Sequence, residues 1–184
     1  MLAMQTNTHK RLSIKGYHLL WVALLLSLTG FMACAGSGVG YNGNLAKPES
    51  RYPLTRGDIK ELKWQTSDIF INAMYALEDD RLDLAGRLQL QDRLAHYPVV
   101  DFLRVNVHAL DGDGIILATY PLWNAPNRYE LFYINWDFQQ SYAVPDTTRA
   151  VTFSYRGRMS DGGALGNLGG MGSDGISWDF WHTP

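Results

Sequence analysis

The stretch Arg81–Gln91, RLDLAGRLQLQ, decides between helix and strand for this chain. Leu82, Leu84, Leu88 and Leu90 share one parity, while Arg81, Asp83, Arg87, Gln89 and Gln91 share the other. At about 100° per residue the leucines would scatter around a helix, whereas at a period of two they line one face of a strand. The alternation predicts a half-buried strand.

The same period recurs on both sides. Downstream, VVDFLRVNVHALDGDGIILATYPLW (99–123) reads as a hairpin, with Leu103, Val105, Val107 and Ala109 facing inward against Phe102, Arg104, Asn106 and His108. Asp111, Gly112, Asp113 and Gly114 supply residues that tolerate positive φ at its turn. YELFYINWDF (129–138) puts Phe132, Ile134, Trp136 and Phe138 on one side and Tyr129, Tyr133, Asn135 and Asp137 on the other. On this reading Trp136 is a core residue. RAVTFSYRGR (149–158) turns Val151, Phe153 and Tyr155 inward against Thr152, Ser154 and Arg156.

Upstream, SDIFINAMYALEDD (67–80) is compatible with a helix capped by Ser67 or with a strand, and alternation at Ile69, Ile71, Ala73 and Tyr75 favours a strand paired with 81–91. GDIKELKW (57–64) reads as a short helical turn. The expected fold is mainly β: an antiparallel immunoglobulin-like sandwich over 57–158, with a short N-terminal helix and a loose glycine-rich tail over 159–184.

The order LAGRLQLQ, then YPVVDFLRVNVHALDGDGIILAT, then VPDTTRAVTFSY resembles small bacterial immunoglobulin-like domains of the FxLYD type. Gly86, Leu88, Val105, Val107, Asp111, Gly112, Asp113, Gly114, Pro145 and Phe153 carry the resemblance, over roughly residues 80–157. The insert Trp123–Tyr142 departs from it. The resemblance implies a binding or assembly role and brings no catalytic residues.

The N-terminus supplies an address. Residues 1–33 combine a basic start with a 15-residue apolar run, Leu19–Ala33, shorter than the roughly 20 residues that span a bilayer. Cys34, the only cysteine in the chain, follows it and excludes an internal disulfide. Ala33 and Cys34 resemble the end of a bacterial lipoprotein signal, although Phe31 and Met32 depart from that pattern. The resemblance implies lipidation at Cys34, and Ala35 after it implies the outer membrane, with the domain facing the periplasm. Acyl carbons would then supply the membrane affinity, at about 0.8 kcal/mol per buried CH₂. Ala35–Pro53 is rich in Gly, Asn, Ser and Pro and reads as a flexible spacer within a 34–56 linker.

Charge excludes one class of partner. Of the 16 basic residues, Lys10, Arg11 and Lys15 precede the apolar run and no acid does, so 13 basic face 18 acidic residues from Cys34 onward, a net charge of −5. That balance lacks the basic footprint of a nucleic-acid binder.

Searching for chemistry yields little. Asp111 and Asp113 could open a calcium loop, but the twelfth position, Leu122, offers no oxygen ligand. No histidine pair beyond the leader has metal-site spacing, and His108 and Arg104 read as a solvated polar face. Ser154 shares that face with His108 but lies in no nucleophile elbow. Glu130 and Asp137 are the acids of the aromatic stretch, and dispersed carboxylates keep a hydrolase among the alternatives. No metal set or cofactor motif is legible.

Aromatics remain as contact candidates: Tyr129 and Tyr133 by outward parity, and Trp178, Phe180 and Trp181 at the chain end. These last either fold back onto the domain or insert into a partner. The expectation is a non-catalytic envelope lipoprotein that binds another envelope protein, with a glycan- or peptidoglycan-binding module as the alternative.

Overall fold

The computed structural model describes residues 40–125, 128–162 and 176–184. The expected export signal over residues 1–33, Cys34 and the glycine-rich segment 163–175 lie outside these residues.

Two antiparallel sheets form a β-sandwich. The strands in chain order are β1 (Tyr52–Pro53), β2 (Lys60–Gln65), β3 (Ile69–Glu78), β4 (Arg81–Leu90), β5 (Val99–Leu110), β6 (Ile116–Asn124), β7 (Tyr129–Glu130), β8 (Asp137–Ala143), β9 (Ala150–Ser160) and β10 (Ser177–His182). One sheet runs β2-β3-β4-β8. The other centres on β9-β5-β6, with β1 and β10 both paired to β9 and β7 paired to β5. Taking β3, β4 and β8 against β10, β9, β5 and β6 gives the A-B-E and G-F-C-C′ order of an immunoglobulin-like sandwich.

Alternation sets the core as the sequence predicts. Leu82, Leu84 and Leu88 of β4 and Leu103, Val105 and Val107 of β5 are fully buried between the sheets, with Phe153 opposite Val107 on β9. Full burial of a side chain of that size stabilises by roughly 1.5–3 kcal/mol. The stretch 69–78 is a strand, paired with β4 from Ile69↔Leu90 to Glu78↔Arg81. Asp79, at φ 39°, turns the hairpin. In the β5–β6 hairpin Asp111 Oδ1 accepts the backbone N–H groups of Asp113 and Ile115, and Gly114 takes φ 90°. The DGDG stretch therefore uses its first carboxylate to build a turn.

Four expectations need correction. GDIKELKW holds no helix: Lys60–Gln65 is strand β2, because Leu62 and Trp64 alternate with Glu61, Lys63 and Gln65 and enter the core. Among the described residues the one α-helix is α1, Asp92–Ala95. Second, YELFYINWDF is not one strand. Tyr129 and Glu130 pair with Val100 and Val99, Leu131–Tyr133 forms a 3-10 turn, and pairing resumes at Asp137. The break reverses Phe132, which is exposed, and leaves Trp136 half-buried, stacked on Trp123 at 4.9 Å.

Third, the spacer is ordered from Tyr41 onward. Ala46 is buried, and the Arg51 guanidinium donates to the carbonyls of Ala46 and Asp113. Backbone bonds such as Gly43 N to Ile116 O at 2.8 Å fix a segment that shows no apolar period. Fourth, the tail is loose at neither end: β9 continues to Ser160, and Ser177–His182 pairs with Tyr155–Ser160 as β10.

Candidate functional site

The candidate side chains sit on the outer face of the β9-β5-β6 sheet and at one end of the sandwich. Along β5, Phe102, Arg104, Asn106 and His108 face outward between the buried Leu103, Val105, Val107 and Ala109. Register places Thr152, Ser154, Arg156 and Arg158 of β9 opposite His108, Asn106, Arg104 and Phe102. On β10, Trp181 stands opposite Arg156 and Asp179 opposite Arg158.

This face has a covered half and a bare half. At the covered half His108 is 0% exposed, which overturns its reading as a solvated residue. The cause is the segment before β1. Tyr41 packs its ring edge-on to the imidazole at 5.1 Å, and Asn42 Oδ1 accepts the Thr119 hydroxyl at 3.4 Å. His108 Nε2 lies 2.8 Å from Ser154 Oγ and Nδ1 lies 2.8 Å from Thr119 Oγ1. With Thr119 donating to Asn42, Nδ1–H donates to Thr119 and Ser154 donates to Nε2. Burial pushes the His108 pKa down to about 4, so the ring is neutral at pH 7.

A serine hydroxyl on a histidine invites comparison with a nucleophile and its base. Here Thr119 stands where an orienting carboxylate would have to be, and Ser154 is itself buried. His108, Thr119 and Ser154 form a hydrogen-bonded network inside the fold, while the buried hydroxyl of Thr152, opposite His108, has no partner among the described residues. Glu130 and Asp137 belong to opposite sheets, and Asp137 Oδ1 lies 3.5 Å from Arg87. They do not form a facing pair across one strand register.

At the bare half Arg104 and Arg156 stand directly opposite each other, both exposed, and neither is in a salt bridge among the described residues. Their neighbour Arg158 is taken: it grips Asp179 through two bonds of 2.8 and 3.0 Å. The bond to Arg158 holds the Asp179 carboxyl below its usual range, with a smaller pull from Arg156. Trp181 ends the row, 67% exposed. Like charges directly opposite destabilise a sheet, so this pair costs stability.

The three chain-end aromatics separate. Phe180 is 2% exposed and lies over Gly157, where an added Cβ would meet its ring at 2.4 Å. It is a core peg that fastens β10, not a contact residue. Trp178 is half-exposed with the Arg93 guanidinium 5.9 Å from its ring centre, and Arg93 also bonds Asp68. Asp68 is buried and accepts the Tyr155 hydroxyl at 2.6 Å, so Trp178 caps an internal network. Burial and that donated bond push the Tyr155 hydroxyl well above its ordinary pKa.

The second surface is the turn after β7. Tyr129 is exposed, Phe132 is 86% exposed and Tyr133 77%. The Leu131 N–H bonds to Pro98 O at 2.8 Å, and the Leu131 side chain packs against the core, so a fixed backbone presents the aromatic rings. Parity missed Phe132, because it assumed one unbroken strand. Arg156 was visible as an outward residue, but only pairing reveals its partner across the sheet.

A groove of about 660 Å³ crosses the outer face of the other sheet over Ala76, Ala85 and Ser141. Its rim guanidinium, Arg81, is already paired with Glu78 and Asp83. No group of three or more metal-ligating side chains occurs among the described residues, and none of their helices is long and apolar enough to cross a membrane.

No protein-family model, curated protein or solved structure matches this chain.

Proposed function

We propose that this protein is a non-catalytic, lipid-anchored module of the bacterial outer membrane that binds another envelope protein. The observation that carries this reading is the turn after β7. Phe132 and Tyr133 are held almost fully in solvent by an ordered backbone, although both could have been polar at no cost to the fold. Rigid, exposed aromatics of this kind supply interface area at low entropic cost.

Position supports it too. Tyr41 packs at His108, near the end of β5, while Tyr129 pairs with Val100 at its start. Eight strand residues separate these points, roughly 26 Å at 3.3 Å each. The aromatic turn and Tyr41 therefore lie towards opposite ends of β5.

The test is capture of crosslinked partners from membranes carrying the full chain or its Phe132→Ser, Tyr133→Ser variant. A defined protein recovered with the first and lost with the second, at an unchanged melting temperature, is expected. Recovery of the same protein with both would remove the turn as the docking element. Retention of polysaccharide that is lost on Tyr133→Ala would favour the glycan-binding alternative. Labelled fatty acid absent from the protein, or still present on Cys34→Ser, would remove the anchor.

A further inference from the structure

The bare half of the β9-β5-β6 face has a ligand chemistry of its own. Arg104 and Arg156 are side by side with no salt bridge among the described residues, Arg156 feeling only the Asp179 carboxylate that Arg158 holds, in a chain whose net charge from Cys34 onward is −5. Their guanidinium groups present forks of N–H donors suited to phosphate oxygens. At the end of the same register row, Trp181 offers an exposed indole, an amphipathic ring suited to the boundary between headgroups and acyl chains. The charged rim of the 660 Å³ groove, by contrast, is already neutralised from within.

Chain direction selects the occupant. Tyr41 lies on this same outer face, over His108, four residues along β5 from Arg104. Cys34 is seven residues before Tyr41, which even fully extended spans about 25 Å. A bilayer that holds Cys34 would therefore lie within reach of this face. We infer that Arg104, Arg156 and Trp181 form a membrane-docking row that engages the phosphate headgroups of anionic lipid, with the indole seated at the interface.

This rests on the anchor reading and deepens it. Acyl chains fix the protein to the membrane, and the row sets how the domain lies on it. Each basic residue near an anionic surface adds attraction that salt weakens. The aromatic turn after β7, at the far end of β5, remains free for its partner.

The experiment uses the acylated full chain in vesicles of phosphatidylcholine alone or mixed with phosphatidylglycerol, with brominated lipid to quench tryptophan fluorescence by contact. Comparison with Trp181→Phe isolates one indole among the six tryptophans of the sequence. Expected is quenching that requires phosphatidylglycerol, fades as salt is raised and is absent from Trp181→Phe. Arg104→Gln with Arg156→Gln should shift the docked–undocked equilibrium by about thirtyfold. Both arginines are exposed, so an unchanged melting temperature is expected to accompany that shift.

A protein firmly on the vesicles with Trp181 unquenched would overturn the row while leaving the anchor standing. A protein that leaves the vesicles altogether would count against the anchor, and against the row with it. Quenching unaltered in the double variant, with retention of a soluble acidic polysaccharide lost, would assign the arginines to a glycan and overturn the membrane assignment.

Discussion

His108 and Arg104 occupy the same face of the same strand, four residues apart, and have opposite fates. His108 is sealed under Tyr41, neutral and hydrogen-bonded on both ring nitrogens, whereas Arg104 stands in solvent beside a second arginine. Strand parity says which face a side chain takes. Whether another segment crosses that face is a separate question, and here a stretch with no apolar period gives the answer. The covered half is spent on stability. The bare half is left in solvent.

If the division is real, perturbing each half should have a different signature. The largest effect belongs to the peg that brings β10 to the bare half. Phe180→Ala should cost about 3–4 kcal/mol in urea unfolding, as expected for a buried aromatic removed from a packed site. A loss below about 1 kcal/mol would mean that β10, and Trp181 with it, is only loosely attached.

Next comes acid. The His108 pKa is lowered to about 4 in the fold from 6.5, so between those values the unfolded chain binds the extra proton. Stability is then fully present above about pH 6.5 and falls by roughly 3 kcal/mol as pH drops to about 4. His182, whose pKa burial also lowers, adds in the same sense. Melting temperatures recorded across this window for the wild type and His108→Gln should diverge, with the flatter profile in the variant.

Removing the cover alone should be milder. Tyr41→Ala loses an edge-on ring contact and opens the imidazole to water, for about 1–2 kcal/mol, and the His108 pKa should rise towards 6.5. The smallest effect is at the bare half. Arg156→Gln relieves a like-charge opposition and should change stability by no more than about 0.5 kcal/mol, in the stabilising direction. A loss well beyond that in chemical denaturation would show that Arg156 is held by a structural partner.

Much of the sandwich was legible because its strands are half-buried and their side chains obey a two-residue period. Leu82, Leu84 and Leu88 announce β4, and Asp111 to Gly114 announce the hairpin turn. Legibility failed where order comes from backbone bonds and local turns. The 3-10 turn at Leu131–Tyr133 breaks the parity of YELFYINWDF, and so an exposed Phe132 read as core. Residues 41–51 are fixed by carbonyl contacts such as Arg51 to Ala46, which composition does not register. Of the candidate contact residues, Tyr129, Tyr133 and Arg104 are exposed where parity put them, and Trp181, for which no parity was read, is exposed too. His108 and Phe180 are not, because each meets a segment that pairs or packs from a distance along the chain.

The most direct measurement is an NMR titration of the His108 ring, carbon-labelled, in the full chain beside Tyr41→Ala. A midpoint near 4 that moves upward when Tyr41 is removed is expected of a face sealed at one half and open at the other. A midpoint near 6.5 in both proteins would contradict that division and return His108 to the solvent beside Arg104.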